Sequence, residues 1–149
     1  MTGTEAAAAG MARRIHESFS RQGLMRHLGA QVVHVEPGKV RLRLPFATQL
    51  TQQHGFFHAG ATSAIADTAG GYAGLSVFPP ESSVLTVEFK INLVAPAQGD
   101  ALEAVGRVVR AGKTLTVCDL KVYALNGATR VLVALGQQTL ICLHNTPDD

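Results

Sequence analysis

The fold turns on HAGATSAIADTAGGYAGLSV, residues 58–77. Ala, Gly, Ile and Leu dominate the stretch, and Ala61, Ile65, Ala69 and Tyr72 recur at helical spacing. A helix that is apolar almost all round has to be buried. Its small side chains let a sheet wrap closely around it, and Pro79-Pro80 ends it, because proline lacks the N–H that the next turn requires.

Around this helix the chain reads as strands. Upstream, Val32 to Val35 is a short strand, Pro37-Gly38 is a turn, and Val40, Leu42 and Leu44 alternate with Arg41 and Arg43, which makes a hairpin. Residues 46–57 show no period and read as an irregular loop. Downstream, Leu85, Val87, Phe89, Ile91 and Leu93 alternate with Thr86, Glu88, Lys90 and Asn92. Three more strands follow, over residues 101–110, 114–125 and 131–143, divided by Ala111-Gly112 and by the hairpin signal Asn126-Gly127. Together they are expected to form a four-stranded meander. Before all of this, Ala12 to Met25 reads as a short amphipathic helix carrying Ile15, Phe19 and Leu24. The economical arrangement is an α+β fold, a curved antiparallel sheet wrapped around one long central helix with a short N-terminal helix at its rim. Residues 1–11 and 146–149 are expected to be tails on a single domain spanning 12–145.

Composition narrows the function. Hydrophobic residues make up 46% and charged residues 16%, so some apolar surface is expected to meet a subunit partner. The open edges of such a sheet point the same way. A formal charge of +2, with no basic run interleaved with aromatics, argues against nucleic acid. No apolar run approaches the ~18 residues of a membrane span, so no membrane partner is expected. Cys118 and Cys142 lack CxxC spacing and lie in apolar stretches, which suits buried thiols in a reducing, cytoplasmic setting.

Asp67 is the only carboxylate in the helix, and burying one in such surroundings costs several kcal/mol unless it is compensated. It is either satisfied structurally or poised for chemistry. At the helix start, around His58 to Ala61, free backbone N–H groups and the positive end of the dipole suit an oxyanion. An acid able to activate water and a donor able to hold an oxyanion are the two halves of an acyl-hydrolysis site.

These residues carry a resemblance. His58-Ala59-Gly60, six residues and then Asp67, the strand ending in Ala95-Pro96-Ala97, and the turn Arg110-Ala111-Gly112-Lys113-Thr114 resemble the PaaI-type acyl-CoA thioesterases of the hotdog superfamily over residues 27–143. The family pattern is an Asn, five residues, His-Gly-Gly, six residues and an acid. Here Gln52 stands for the Asn and Ala59 for the first Gly. The resemblance implies a homodimer, paired further into a homotetramer, that hydrolyses an acyl-CoA substrate without a cofactor. In it Asp67 would activate water or attack directly, opposite the helix N-terminus of the other subunit. The Ala59 N–H, helped by His58, would polarise the carbonyl, while Gln52 and Thr86 would assist it and the water. Gly60 and Phe57 would contact substrate, and Arg110, Lys113 and Thr114 would meet the coenzyme's phosphates. From their apolarity and position Phe56, Phe57, Ile65 and Tyr72 are expected to line the acyl pocket between the helix and the dimer seam. Two rival readings remain, a non-catalytic acyl-CoA binder and a hydratase or dehydratase using His58 with Asp67.

Other signals fail on context. Gly106 to Thr114 imitates a phosphate-binding loop, but five residues separate its glycines and a strand follows. His54 and His58 lack a third ligand, so no metal is expected. There is no Gly-x-Ser-x-Gly elbow, and Cys118 has no local basic partner to activate it.

Overall fold

The computed structural model describes residues 2–149. The element order is α1 (Gly3–Arg21), α2 (Gly23–Leu28), β1 (Gln31–Glu36), β2 (Lys39–Pro45), a single 3-10 turn at Thr48–Leu50, α3 (Ala59–Leu75), β3 (Ser82–Leu93), β4 (Ala101–Ala111), β5 (Leu115–Asn126) and β6 (Thr129–His144). All six strands form one antiparallel sheet in the order β1-β2-β4-β5-β6-β3. The sheet packs around α3, as the apolar sequence of that helix requires, and this is the hotdog arrangement.

Leu42, Leu44, Leu102, Leu120 and Leu140 project from four strands onto Ile65, Ala69 and Ala73 of the helix, all of them buried. The small residues permit the close approach. A Cβ on Gly106 of β4 would lie 2.4 Å from the backbone of Ala69 and Gly70, so helix and strand touch there main chain to main chain.

Three expectations are corrected. The first helix starts at Gly3 and not at Ala12. Thr2 and Glu5 form a capping box, and the alanine run behind them is a strong helix former even with its side chains in solvent. The last four strands are not a simple meander. The chain leaves β2, passes through α3 and re-enters the sheet at its far edge, so β3 pairs with β6 and β4 returns to lie beside β2.

Strand β3 also departs from simple alternation. Its register with β6 shifts between Thr86 and Glu88, leaving Val87 as an extra residue. Thr86 pairs with Leu140 and Phe89 with Gln138. Because Leu140 and Gln138 alternate on one face of β6, Thr86 shares the helix-facing side with Phe89, Ile91 and Leu93, not with Glu88 and Lys90. The bulge turns Thr86 toward the helix.

Candidate active site

Asp67 lies on α3, half-buried, beneath the edge strand β3. Thr86 Oγ1 donates to its Oδ1 at 2.7 Å. The side-chain amide of Gln138, on β6, donates to the same Oδ1, to the Asp67 backbone carbonyl at 3.0 Å and to Thr86 Oγ1 at 3.1 Å. One carboxylate oxygen is therefore held by two donors. The other, Oδ2, has no protein partner among the described residues. Asp67, Thr68, Tyr72, Val84 and Thr86 border a cleft of about 330 Å³, together with Gln22 and Asp148. The Tyr72 hydroxyl is tied to Ser18 Oγ at 2.9 Å and to Gln22 Nε2 at 3.0 Å. Burial pushes the Tyr72 pKa up, with those two hydrogen bonds opposing it. Tyr72 is thus a fixed wall joined to the N-terminal helices.

The helix N-terminus supplies the second group of residues. His58 is the N-cap, and its Nδ1 accepts from the Gly60 N–H at 2.8 Å, so the ring proton of the neutral form sits on Nε2. The His58 carbonyl accepts from Ala61 and Thr62. Of the first-turn amides only the Ala59 N–H has no partner among the described residues. Ala59 has helical backbone and no positive φ, so alanine stands there without strain where the family pattern has glycine. Gln52 sits beside it. Its Oε1 accepts from the His54 N–H, which leaves the amide NH₂ as the free end. Gln52, Phe56, Ala59, Thr62 and Ala97 border a second cleft, of about 420 Å³.

These two groups of residues lie apart in one chain. Ala59 and Asp67 are eight residues apart on the same helix, a rise of about 12 Å, and they border different clefts. A thioester carbonyl spans a few ångströms. One chain alone does not bring the donor and the acid to the same carbonyl.

The remaining candidates divide. Phe57 is 3% exposed and packs edge-on against Phe46, with ring centroids 5.5 Å apart, yet it borders the Ala59 cleft beside Phe56, the more accessible ring. Ile65 is fully buried and borders neither cleft, contrary to the expectation that it lines the acyl pocket. Arg110, Lys113 and Thr114 are exposed in and beside the turn between β4 and β5. That turn is fixed by Thr114 O accepting from Cys142 N and by a contact of 2.7 Å between His144 Nε2 and Lys113 O. Cys142 pairs with Val84, two residues from Thr86, which puts the turn at Thr86's end of the sheet, about two strand spacings or roughly 10 Å away. No group of three or more metal-ligating side chains occurs among the described residues.

Known proteins match this chain in family and fold. The model of the thioesterase superfamily matches residues 54–131, from the loop before α3 to the start of β6. The chain belongs to the thioesterase superfamily. Among solved structures, a thioesterase family protein of Silicibacter pomeroyi superposes with a TM-score of 0.88 at 42% identity, covering 90% of this chain and 98% of that one. The Escherichia coli PaaI protein, at 22% identity and a TM-score of 0.83 over 94% and 98% of the two chains, shares the fold. A 1,4-dihydroxy-2-naphthoyl-CoA hydrolase of Listeria monocytogenes is 26% identical over 67% of this chain and 81% of its own.

The sequence reading of this thioesterase-family chain missed Gln138, which touches both Asp67 and Thr86. A signal was available. Ala134, Gly136, Gln138, Leu140 and Cys142 occupy the helix-facing phase of β6, and Gln138 is the polar side chain among them that could reach a carboxylate.

Proposed function

We propose that the chain is an acyl-CoA thioesterase that works as a homodimer, with each site assembled from the Asp67 side of one subunit and the Ala59 side of the other. The observation that carries this reading is the complementarity of the two groups of residues: a carboxylate with one oxygen held and one free, and a helix N-terminus with one unengaged N–H. Asp67 Oδ2 takes a proton from water as the water oxygen attacks the thioester carbon. The carbonyl oxygen becomes an oxyanion and is received by the Ala59 N–H, with the Gln52 amide beside it. Collapse of the adduct breaks the C–S bond, and the proton held by Asp67 passes to the leaving sulfur. The same carboxylate could instead attack the carbon directly. The Listeria relative is named as the hydrolase of a CoA thioester, which supports the same class here.

Support for the dimer comes from β3. It is an edge strand with Leu85, Val87, Phe89 and Leu93 all exposed, and a long apolar edge of this kind invites a second strand. Pairing β3 with its copy would bring each Thr86 and Asp67 to the seam. Exposed Val131 and Leu135 on β6 offer further apolar area for joining two dimers into a tetramer. Arg110 and Lys113 would meet the coenzyme phosphates. The two buried thiols suit the cytoplasm.

The test is thiol release from a panel of phenylacetyl-, medium-chain and long-chain acyl-CoAs by wild type and Asp67→Asn. The expected loss in the variant is about 10² to 10⁴ in kcat. Tight binding of every panel member with no release by the wild type would make the protein a binder instead.

A further inference from the structure

Gln138 is an unusual residue for the place it occupies. It is 1% exposed, in the core phase of β6 between Gly136 and Leu140. Its Nε2 makes the three contacts to Asp67 O, Asp67 Oδ1 and Thr86 Oγ1, whereas its Oε1 is buried with no hydrogen-bond partner. The amide cannot profitably turn over, since that would set Oε1 against the Asp67 carboxylate, acceptor against acceptor. Gly70, one turn beyond Asp67 on α3, makes the room. A Cβ there would lie 1.9 Å from Gln138 Oε1.

We infer that Gln138 is a positioning residue for Asp67, and that Gly70 is the cavity into which its amide fits. The carboxylate torsion of an Asp is broad and nearly two-fold, so packing alone does not fix which oxygen faces the substrate. Two donors converging on Oδ1 fix the plane. They leave Oδ2 as the oxygen presented to water, and Gln138 also orients the Thr86 hydroxyl so that its proton points at Oδ1. An apolar side chain of the same length would fill the site without a stranded acceptor, so the amide serves the order of the acid and not the stability of the core.

The inference rests on the proposed role of Asp67, and the experiment separates the two. Purified wild type, Gln138→Met, Gly70→Ala, Asp67→Asn and Asp67→Asn/Gln138→Met are compared for kcat, KM and melting temperature. Gln138→Met is expected to lower kcat roughly ten- to hundredfold while KM stays within about twofold and the melting temperature does not fall. Gly70→Ala, whose Cβ would meet Gln138 Oε1 and also Leu120 Cδ2 at 2.5 Å, is expected to reproduce the loss in kcat together with a lowered melting temperature. In the Asp67→Asn background Gln138→Met should cost nothing further, since a residue that acts through Asp67 has nothing left to position. Asp67→Asn inactive with Gln138→Met at wild-type kcat overturns the inference and leaves the thioesterase reading intact. So does an equal loss from Gln138→Met in both backgrounds, or a loss in Gln138→Met that tracks a lowered melting temperature. Full activity in Asp67→Asn removes both.

Discussion

Thr86 donates its hydroxyl proton to Asp67 across 2.7 Å, from an edge strand to the central helix. Thr86 faces the helix because of the bulge at Val87, so the local irregularity of β3 places the hydroxyl. A hydrogen bond to a charged group contributes about 1.5–3 kcal/mol. Thr86→Val, which keeps the shape and removes the donor, should therefore lower kcat by roughly ten- to a hundredfold. Thr86→Ser should stay within a few-fold of wild type in the same thiol-release assay. Equal activity in all three proteins would mean that the contact only braces the edge strand.

That edge is also where the subunits are expected to meet. Leu85 and Val87 are 57% and 58% exposed, a cost in water that a neighbouring β3 would remove. Replacing both with Lys adds two positive charges from each subunit at the seam and should give a monomer by sedimentation equilibrium. If the site needs both subunits, thiol release should vanish with the dimer. A monomer that retained full activity would show that one chain completes its own site.

A sharper version uses two inactive proteins. Proline at Ala59 removes the unengaged N–H at the first helical position, where proline's fixed φ is already suitable. The preceding His58 sits at φ −65 and ψ 140, a conformation that a following proline accepts. Ala59→Pro should fold normally and lose about 10² to 10³ in kcat, the usual cost of an oxyanion donor. Co-expressed with Asp67→Asn, it should recover activity, because a mixed dimer has one site with both groups intact. Mixed dimers with no activity would place both groups at a site within one chain.

How far the sequence reaches depends on what sets each feature. The buried helix and Asp67 follow from local composition and period, and both lie within residues 58–77, where the helix runs over Ala59–Leu75. Alternation identifies strands but not neighbours, so the pairing of β3 with β6 instead of β4 had no local signal. A bulge shifts the phase by one residue, which is why Leu85 and Phe89 read as one face and occupy two. Gln138 lies 71 residues from Asp67; their contact exists only once β6 lies across the helix.

The close approach of helix and sheet is testable at Gly106. An added methyl would meet the backbone of Ala69 and Gly70, which cannot rotate away as a side chain could. Gly106→Ala should destabilise the fold by about 1–3 kcal/mol, the usual range for overpacking, seen as a lower urea midpoint with little change in slope. Gly71→Ala is the control, since a Cβ there meets nothing within 4 Å. Equal midpoints for the two variants would show that the sheet can move away from the helix.

Cys118 offers a test through pH. It is fully buried, its Sγ lies 3.7 Å from Gly70 O, and burial, with a smaller contribution from the Asp119 charge, pushes its pKa from 9.0 up to about 12. At neutral pH the thiol is protonated whether the chain is folded or not, so it contributes no pH dependence there. As pH rises past 9 the unfolded chain loses the proton first, and the folded chain keeps it until about 12. Stability should fall across that window by up to about 1.4 kcal/mol per pH unit, the value of one proton. Urea midpoints measured from pH 8 upward should thus decline more steeply for wild type than for Cys118→Ala. The native protein should also resist a chromogenic disulfide near neutral pH at Cys118, because the thiolate is the reactive form. Parallel slopes for the two proteins, together with rapid labelling of Cys118 in the folded state, would show that water reaches this strand and that the sheet does not seal against α3 at Gly70.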